Sequence, residues 1–254
     1  MHATNAALYG KGIFTTLAIY DRKPFLWEKH WRRLKDNAEK IGIDLSEHSE
    51  EATHKALDET IEENDVTDGR ARITFFDESP SGVWSIDTNG KTSLSIITGD
   101  LRPKPANFRL TVSSYPVNSR SPLAGMKSCN YLENILAFEN AKESGFDEAV
   151  RLNERGLITS ACMANIFWLK DEQLYTPSLK TGCLNGTTRE FVLENLDCAE
   201  VEAEIDELKA ADAIFLTSAG LGLVRVGEFQ KRSLAIANHR ITRLLNHFPR
   251  FPEM

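Results

Sequence analysis

The sequence has few cysteines, and they are widely separated. Only 4 occur among 254 residues, and no two lie at the short spacing that structural zinc sites and redox dithiols use. The pattern predicts reduced cysteines that pack in the interior, and no metal site. These residues are Cys129, Cys162, Cys183 and Cys198.

The sequence also lacks an excess of basic residues and a long apolar run. Its formal net charge is -7, whereas nucleic acids and anionic membranes bind basic patches. No apolar stretch approaches the roughly 20 residues needed to cross a bilayer, and the first letters, MHATNAALYG, do not have the layout of a signal peptide. We therefore expect a cytoplasmic protein that acts on a small molecule, with neither nucleic acid nor membrane as a partner.

The apolar residues that are present predict an α+β fold. Hydrophobic residues make up 41% of the chain, which is enough for one large or two smaller cores. GIFTTLAIYDRKPFLW predicts a β-hairpin, and a helix follows in which Trp27, Trp31, Leu34, Ala38 and Ile41 recur at helical spacing before Gly42. Further strands are predicted from DEAVRLN, LITSA, NIFWLK, QLYTP and AIFLTSAG, and a helix that closes the chain is predicted from SLAIANHRITRLLNHF.

A polar, turn-rich stretch, PVNSRSPLAG, lies before these further strands. We place a domain boundary there, because linkers have this composition. The predicted domains are an N-terminal α+β domain over residues 1–116, a linker over 117–124 and a C-terminal domain over 125–254.

Lys127 is the first candidate for chemistry. The letters AGMKSCNYLENILAFENAKESG, residues 124–145, predict a helix that opens at Lys127 and ends near Gly145. Burial and the positive end of the helix dipole would both favour the neutral amine, which is a nucleophile. A solvated lysine at the end of a loop explains the same letters.

Two other stretches have the composition of anion-binding loops. In LNGTTREF, Thr187 and Thr188 open a predicted helix, where backbone N–H groups and hydroxyls converge on an anion or simply cap the helix. FLTSAGLG ends a strand at Ser218 and Ala219, as a second such loop or an ordinary turn. In KHWRRLK, Arg33 lies one turn from His30 and beside the apolar stripe, so it is the arginine predicted to point inward.

Together these stretches resemble the fold-type IV family of pyridoxal-phosphate enzymes. The resemblance rests on YGKGIFTT, the His-x-x-Arg-Leu pattern at residues 30–34, KSCNYLENILA, NIFW, LYTPSLKTGCLNGTTRE and FLTSA, in the family's order. It implies a smaller N-terminal α/β sandwich-like domain, a larger C-terminal pseudo-barrel domain, pyridoxal 5'-phosphate as cofactor and a homodimer.

The resemblance also implies roles for individual residues. Lys127 would bond the cofactor aldehyde and move protons, and Tyr131 would line the site, although a tyrosine packed in the core fits the letters almost as well. Arg33 would bind the cofactor phosphate. Further phosphate donors would come from the two loops, at Thr187, Thr188, Ser218 and Ala219. Arg72, in GRARITFF, is a candidate for binding the substrate carboxylate, and an outward-facing arginine is the alternative.

Ser160 departs from the family's pattern. The resemblance implies a glutamate at this position that bonds the protonated pyridine nitrogen, and an ionised partner strengthens the cofactor as an electron sink. A serine hydroxyl bonds a neutral pyridine nitrogen instead. Glu154 is the nearest carboxylate in the sequence that would substitute, although it lies in a predicted turn.

As the favoured function, the resemblance implies a lyase that converts 4-amino-4-deoxychorismate into 4-aminobenzoate and pyruvate. The letters FTT, the four-residue step from Lys127 to Tyr131 and ACMANIFW are more similar to the lyase branch of the family. A class IV aminotransferase acting on branched-chain or D-amino acids is the alternative. Because of Ser160, a cofactor-binding protein without turnover is a second alternative.

Overall fold

The computed structural model describes residues 3–82, 85–86, 91–234 and 239–249. The chain divides into two compact units, each described here by itself. The first consists of Met1–Leu101 with Met126–Tyr131, and the second of Arg102–Gly125 with Leu132–Met254. Helices and antiparallel-rich sheets occur in both, which confirms the predicted α+β class.

The compact units have different limits from the predicted domains, 1–116 and 125–254, which stay a prediction. Residues 117–124, the predicted linker, belong to the second unit. Val117 pairs with Asn153 in an isolated bridge, and Ser119 bonds Glu154 through both its backbone N–H and its hydroxyl. These hydrogen bonds explain why a polar, turn-rich stretch is part of a compact unit.

The first unit has one four-stranded antiparallel sheet, in the order β2-β1-β3-β6. Asp21 and Arg22 join β1 to β2 with positive φ angles of 50° and 64°, as a tight hairpin turn needs. Its elements are α1 (Asn5–Tyr9), β1 (Gly12–Tyr20), β2 (Lys23–Pro24), α2 (Trp27–Ile41), α3 (Glu50–Glu63), β3 (Gly69–Asp77), β4 (Ser81–Gly82), β5 (Ser85–Ile86) and β6 (Thr92–Gly99).

The core of the first unit lies between this sheet and the helices α2 and α3. The apolar stripe predicted for α2 is confirmed, because Trp27, Trp31, Leu34 and Ala38 are all buried. They pack with β1 and β3 side chains in one cluster. Gly42 ends the helix at φ 67°, where a left-handed residue is needed.

The second unit contains two five-stranded sheets and several helices. Their strand orders are β12-β11-β10-β13-β14 and β16-β15-β7-β8-β9. The elements are β7 (Arg109–Val112), α4 (Leu132–Glu143), β8 (Glu148–Leu152), β9 (Ile158–Ala161), β10 (Asn165–Lys170), β11 (Gln173–Pro177), a 3-10 turn (Leu179–Thr181), α5 (Thr187–Asn195), β12 (Ala199–Val201), α6 (Ile205–Ala210), β13 (Ala213–Ser218), β14 (Gly222–Arg225), β15 (Glu228–Phe229), β16 (Arg232–Ser233) and α7 (Arg240–His247).

Apolar residues from both sheets form the main core of the second unit, which includes Trp168, Ile214 and Phe229. A second cluster packs α5 and α7 against the other face of β10 and β13. The strands predicted from DEAVRLN, LITSA, NIFWLK, QLYTP and AIFLTSAG are confirmed. Of the predicted closing helix, residues 235–238 lie outside the described residues.

The prediction that a helix opens at Lys127 is wrong, because α4 begins at Leu132. Residues 127–129 instead pair with β1. The Phe14 N–H donates to the Lys127 carbonyl at 2.9 Å, and the Cys129 N–H donates to the Gly12 carbonyl at 2.8 Å. Since β1 uses these backbone groups, they are not available for helical hydrogen bonds. The backbone around Lys127 is therefore paired with a strand, and Lys127 does not lie in the first turn of a helix.

The longest helix described is α2, with 15 residues. Within the described ranges, no helix combines the length and the apolar character that crossing a bilayer requires.

Candidate functional site

Lys127 lies beside two aromatic rings in the first unit. Its Nζ is 4.4 Å from the ring centre of Phe14 and 4.6 Å from that of Tyr131. The two rings meet edge to face, with centres 5.2 Å apart. The Lys127 Nζ also lies 3.4 Å from the Tyr131 hydroxyl oxygen. The amine thus lies against two adjacent aromatic rings, with a hydroxyl as a polar neighbour.

The pKa of the Lys127 amine is lowered from its usual 10.5 to about 7. Burial is the largest cause, because it disfavours the ammonium form. The guanidinium charges of Arg33 and Arg72 lower it further. The predicted neutral amine is therefore supported, but by burial and two arginines rather than by a helix dipole.

Arg72 lies beside the same phenylalanine. Its Cζ is 3.6 Å from the ring centre of Phe14, and its Nε donates to the Thr74 hydroxyl at 3.2 Å. It also hydrogen-bonds Cys129, which opposes the rise that burial causes in the thiol pKa. Arg72 is half-buried, so it is not the outward-facing strand arginine of the alternative interpretation.

Arg33 projects from α2 toward β1, as predicted, whereas Arg32 is exposed. The Arg33 Nη2 donates to the Thr15 hydroxyl at 2.7 Å. That hydroxyl is also 2.6 Å from the Nδ1 of His30, whose side chain is buried. Thr15 was not identified as a site residue from the sequence, although the helical spacing had paired His30 with Arg33.

The two threonines Thr187 and Thr188 open α5 in the second unit, and both are buried. Gly186 is the N-cap residue, so no side chain caps the helix. The backbone there passes so close to Asn165 that a Cβ on Gly186 would lie 2.0 Å from the Asn165 Oδ1. The Asn165 Nδ2 donates to the Leu184 carbonyl at 2.7 Å and thereby holds the loop that leads into α5.

Thr217 is a further residue that sequence reasoning missed at this loop. It pairs directly with Asn165 across β13 and β10, and its side chain is 1% exposed. Its hydroxyl has no hydrogen-bond partner in the described part of the chain, which is unusual for a buried polar group. Its position next to Ser218 could have marked Thr217 as a site residue, but the hydrophobic run of the strand indicated a core residue.

Gly186→Ala is expected to destabilise the protein by about 1–3 kcal/mol, because the new methyl group must displace the Asn165 amide. Urea unfolding would measure this loss. Gly99→Ala is the matched control, since a Cβ there would meet no atom within 4 Å. Equal unfolding free energies for the two variants would contradict the close approach at Gly186.

Ser218 and Ala219 lie where β13 ends. The Leu221 N–H donates to the Ser218 hydroxyl at 3.2 Å, and residues 219–221 form the turn. A turn therefore follows β13, and the role of Ser218 and Ala219 as phosphate donors stays a prediction.

Ser160 lies on β9, directly opposite Arg151 on β8. Side chains of opposed residues in an antiparallel pair share one face of the sheet. The Arg151 guanidinium is buried and donates to the carbonyls of Tyr115 and Pro116, at 3.2 and 2.7 Å. A cation, and no carboxylate, is therefore the cross-strand partner of Ser160.

Glu154 does not supply the missing carboxylate, which corrects that alternative. Its side chain is exposed in a turn and accepts from the Ser119 hydroxyl at 2.7 Å and from the Ser119 N–H at 2.9 Å. These hydrogen bonds lower the pKa of the carboxyl to about 2. Glu154 is thus an ionised residue that holds the 117–124 segment.

The family model for class IV amino-transferases matches residues 12–229. Among curated proteins, an aminodeoxychorismate lyase from Bacillus subtilis is 29% identical over 228 residues, covering 85% of this chain and 77% of that protein. A putative branched-chain-amino-acid aminotransferase from Methanocaldococcus jannaschii is also 29% identical, over 239 residues, covering 89% of this chain and 81% of that protein.

A solved structure of a putative 4-amino-4-deoxychorismate lyase from Legionella pneumophila superposes with a TM-score of 0.86. Its sequence identity is 25%, and the match covers 95% of this chain and 91% of that one. The two-domain fold of fold-type IV enzymes is thereby confirmed. The family model extends over most of the chain, and so the protein belongs to the class IV aminotransferases, a family of pyridoxal phosphate enzymes.

Proposed function

We propose that Lys127 is the residue that bonds the aldehyde carbon of pyridoxal phosphate, with loss of water. The observation that carries this proposal is the position of the Lys127 Nζ against the rings of Phe14 and Tyr131, a setting in which burial lowers its pKa to about 7. An amine that is half neutral near pH 7 is a far better nucleophile there than an ordinary lysine. When bound, the cofactor supplies an electron sink for the carbanion that forms when a substrate loses a proton.

The residues of the first unit fit an anionic cofactor and an anionic substrate. Both charges that act on the Lys127 pKa are arginines, Arg33 and Arg72. We assign Arg33 to the cofactor phosphate and Arg72 to a substrate carboxylate, because guanidinium groups bind both anions with charge-assisted hydrogen bonds. Tyr131 would line the site through its ring and its hydroxyl.

The second unit offers uncharged groups of the kind that bind phosphate. The α5 start has a glycine N-cap, and backbone N–H groups at such a position favour an anion. We propose that Thr187 and Thr188, together with Ser218 and Ala219, hold the cofactor phosphate. The buried Thr217 hydroxyl, which has no partner in the described residues, supports a polar ligand near this loop.

We propose that the reaction is the conversion of 4-amino-4-deoxychorismate into 4-aminobenzoate and pyruvate, which supplies folate synthesis. The name of the Bacillus subtilis relative supports it. In this reaction the Lys127 amine would take the proton from the amino-bearing carbon and later return one to the departing three-carbon fragment. The Tyr131 hydroxyl, 3.4 Å from Nζ, orients the amine for these transfers.

Ser160 supports elimination over amino transfer. A hydroxyl donates to a neutral pyridine nitrogen, and the residue opposite Ser160 is Arg151 rather than a carboxylate that would favour a pyridinium. A site with a serine at this position stabilises a carbanion less than a site with a carboxylate does. Formation of an aromatic product supplies part of the driving force for the lyase reaction, so this reaction tolerates the weaker stabilisation better.

An aminotransferase for branched-chain or D-amino acids is the second candidate. The relative from Methanocaldococcus jannaschii favours it, at the same 29% identity as the lyase. Purified protein with pyridoxal phosphate is to be incubated with 4-amino-4-deoxychorismate, and separately with amino acids plus 2-oxoglutarate. We expect 4-aminobenzoate and pyruvate in the first assay. Glutamate in the second assay alone would overturn the lyase proposal, and no product in either would indicate binding without turnover.

We further propose a homodimer, with the exposed side of α4 in the interface. Leu132, Ile135 and Leu136 are 67%, 38% and 41% exposed and lie one helical turn apart, which makes an apolar stripe. An exposed stripe of this kind fits a second copy of the chain.

Leu136→Glu is expected to convert the dimer to a monomer, since it places a charge in the proposed interface. Sedimentation velocity would measure the mass. Leu179→Glu is the matched control, because Leu179 is also exposed, at 45%, but lies outside α4. A dimeric Leu136→Glu variant, or a monomeric wild type, would contradict the proposal that α4 forms the dimer interface.

A cytoplasmic location is likewise proposed. It is supported by the cysteines, which are all free.

A further inference from the structure

A chain of buried polar groups connects β1 to α2 in the first unit. The Thr15 hydroxyl is 2.7 Å from the Arg33 Nη2 and 2.6 Å from the His30 Nδ1. Thr15 is 0% exposed and His30 is 1% exposed. They lie in a layer otherwise filled by apolar side chains such as Leu17 and Leu34. Because burying polar groups in such a layer is costly, their arrangement calls for a physical reason.

The hydrogen-bonding roles of the three groups follow from their chemistry. A guanidinium can only donate, so the Thr15 oxygen accepts from Arg33. We assign the hydroxyl proton to the hydrogen bond with the Nδ1 of His30, which is then the accepting nitrogen of a neutral imidazole. Burial, with the charges of Arg33 and Lys127, holds the pKa of His30 well below its usual 6.5, in agreement with the neutral form. In this arrangement Thr15 donates one hydrogen bond and accepts another.

We propose that Thr15 and His30 are positioning residues that fix the guanidinium of Arg33 before any ligand binds. His30 orients the hydroxyl, and the hydroxyl orients Arg33. A threonine suits this role, because its branched side chain is stiff about χ1 and holds the oxygen in one place. The inference rests on the proposed function in one respect, namely that Arg33 binds the cofactor phosphate.

Fixing Arg33 in this way has two consequences. The rotamer freedom of a long side chain is lost on folding rather than on binding, so a bound phosphate is held more tightly. The charge of Arg33 also stays near Lys127, where it helps to lower the pKa of the amine. A loosened Arg33 would therefore weaken phosphate binding and raise the Lys127 pKa together, and a merely structural role of Thr15 would not couple these two effects.

The test compares pyridoxal 5'-phosphate with pyridoxal, which lacks the phosphate. Both are titrated at pH 9, where the Lys127 amine, with its pKa of about 7, is neutral, into the full-length protein freed of cofactor, and the dissociation constants are measured by absorbance. Thr15→Val removes the hydroxyl at nearly constant volume. We expect its dissociation constant for pyridoxal 5'-phosphate to rise about tenfold and that for pyridoxal to change less than about twofold. Thr15→Ser keeps the hydroxyl and should stay close to wild type.

Thr53→Val is the matched control. Thr53 is 1% exposed in α3 of the same unit, and its hydroxyl has no partner within the described residues. This variant should leave both dissociation constants unchanged. If Thr15→Val weakens the binding of pyridoxal 5'-phosphate and of pyridoxal by the same factor, the substitution causes a general structural defect and the inference is overturned.

The second readout is the pKa of Lys127, measured by competitive acetylation across pH and mass spectrometry of its peptide. Thr15→Val should raise this pKa, because the Arg33 charge is no longer held near the amine. If Thr15→Val does not fold, the two His30 variants decide. His30→Asn keeps an accepting atom near the position of Nδ1 and should retain the preference for the phosphate, whereas His30→Leu should lose it. Equal preferences in these two variants would overturn the inference.

Arg33→Gln separates this inference from the proposed function. If Arg33→Gln weakens pyridoxal 5'-phosphate but not pyridoxal, Arg33 is a phosphate ligand, and an unaffected Thr15→Val would then overturn the positioning role alone. If Arg33→Gln weakens neither ligand selectively, the phosphate assignment of Arg33 fails first.

Discussion

Lys127→Ala is expected to abolish the covalent attachment of pyridoxal phosphate and to lower turnover on the order of 10³-fold or more, because the nucleophile and the proton carrier are the same amine. Borohydride reduction followed by peptide mass spectrometry would locate the attachment. In the wild type the pyridoxyl group should appear on the peptide that contains Lys127, and in the variant it should be absent.

Lys35→Ala serves as the control for this experiment. Lys35 is an exposed lysine on α2 of the same unit, so its removal should change neither attachment nor turnover. A reduced adduct that persists in Lys127→Ala on another peptide would show that a different lysine bonds the cofactor. The proposal that Lys127 bonds the cofactor would then be wrong, whereas the assignment of the chain to its family would be unaffected.

The second large effect is on the pH dependence of cofactor attachment. With a pKa of about 7, Lys127 is half neutral near pH 7, and its neutral fraction falls about tenfold for each pH unit below that. We therefore expect the attachment rate in the wild type to have its midpoint near pH 7. An ordinary lysine, with a pKa of 10.5, would have its midpoint more than three units higher.

Arg72→Gln should shift this midpoint upward by about one pH unit. The sign follows because Arg72 is a positive charge that opposes protonation of the amine, so its removal favours the ammonium and raises the Lys127 pKa. Attachment should become slower near pH 7 and be unchanged near pH 9 and above. Stopped-flow absorbance across pH would measure both limits.

Arg70→Gln is the matched variant for this measurement. Arg70 lies two residues from Arg72 on β3 but is exposed, and it is not among the charges that lower the Lys127 pKa. Its midpoint should remain that of the wild type. An upward shift of the same size in Arg70→Gln would mean that general surface charge, and not the cation beside Phe14, controls the amine.

Local patterns predicted much of the secondary structure. The spacing of Trp27, Trp31, Leu34 and Ala38 predicts the buried face of α2, and Gly42 predicts its end, because helical periodicity and a left-handed cap are properties of neighbouring residues. The same holds for α5, where LNGTTREF predicts a helix that starts directly after Gly186. These features depend on residues close in sequence.

The surroundings of Lys127 show where local patterns fail. Residues 127–131 have the composition of a helix start, yet the backbone of 127–129 pairs with β1, more than 110 residues earlier in the chain. Nothing in the residues around Lys127 indicates that this segment pairs with β1. The same is true of Thr15, which alternation along β1 indicates only as a buried residue. Its meeting with His30 and Arg33 requires the packing of α2 on the sheet.

Motifs and periodicities lie along the chain, so they are enough to predict the family, the α+β class, the inward orientation of Arg33 and Lys127 as the candidate amine. The reason why this amine is half neutral near pH 7 lies in the folded structure. The lowered pKa depends on burial and on the distances to Arg33 and Arg72, which approach Lys127 from separate elements, and electrostatic interactions depend on distance in space rather than along the chain.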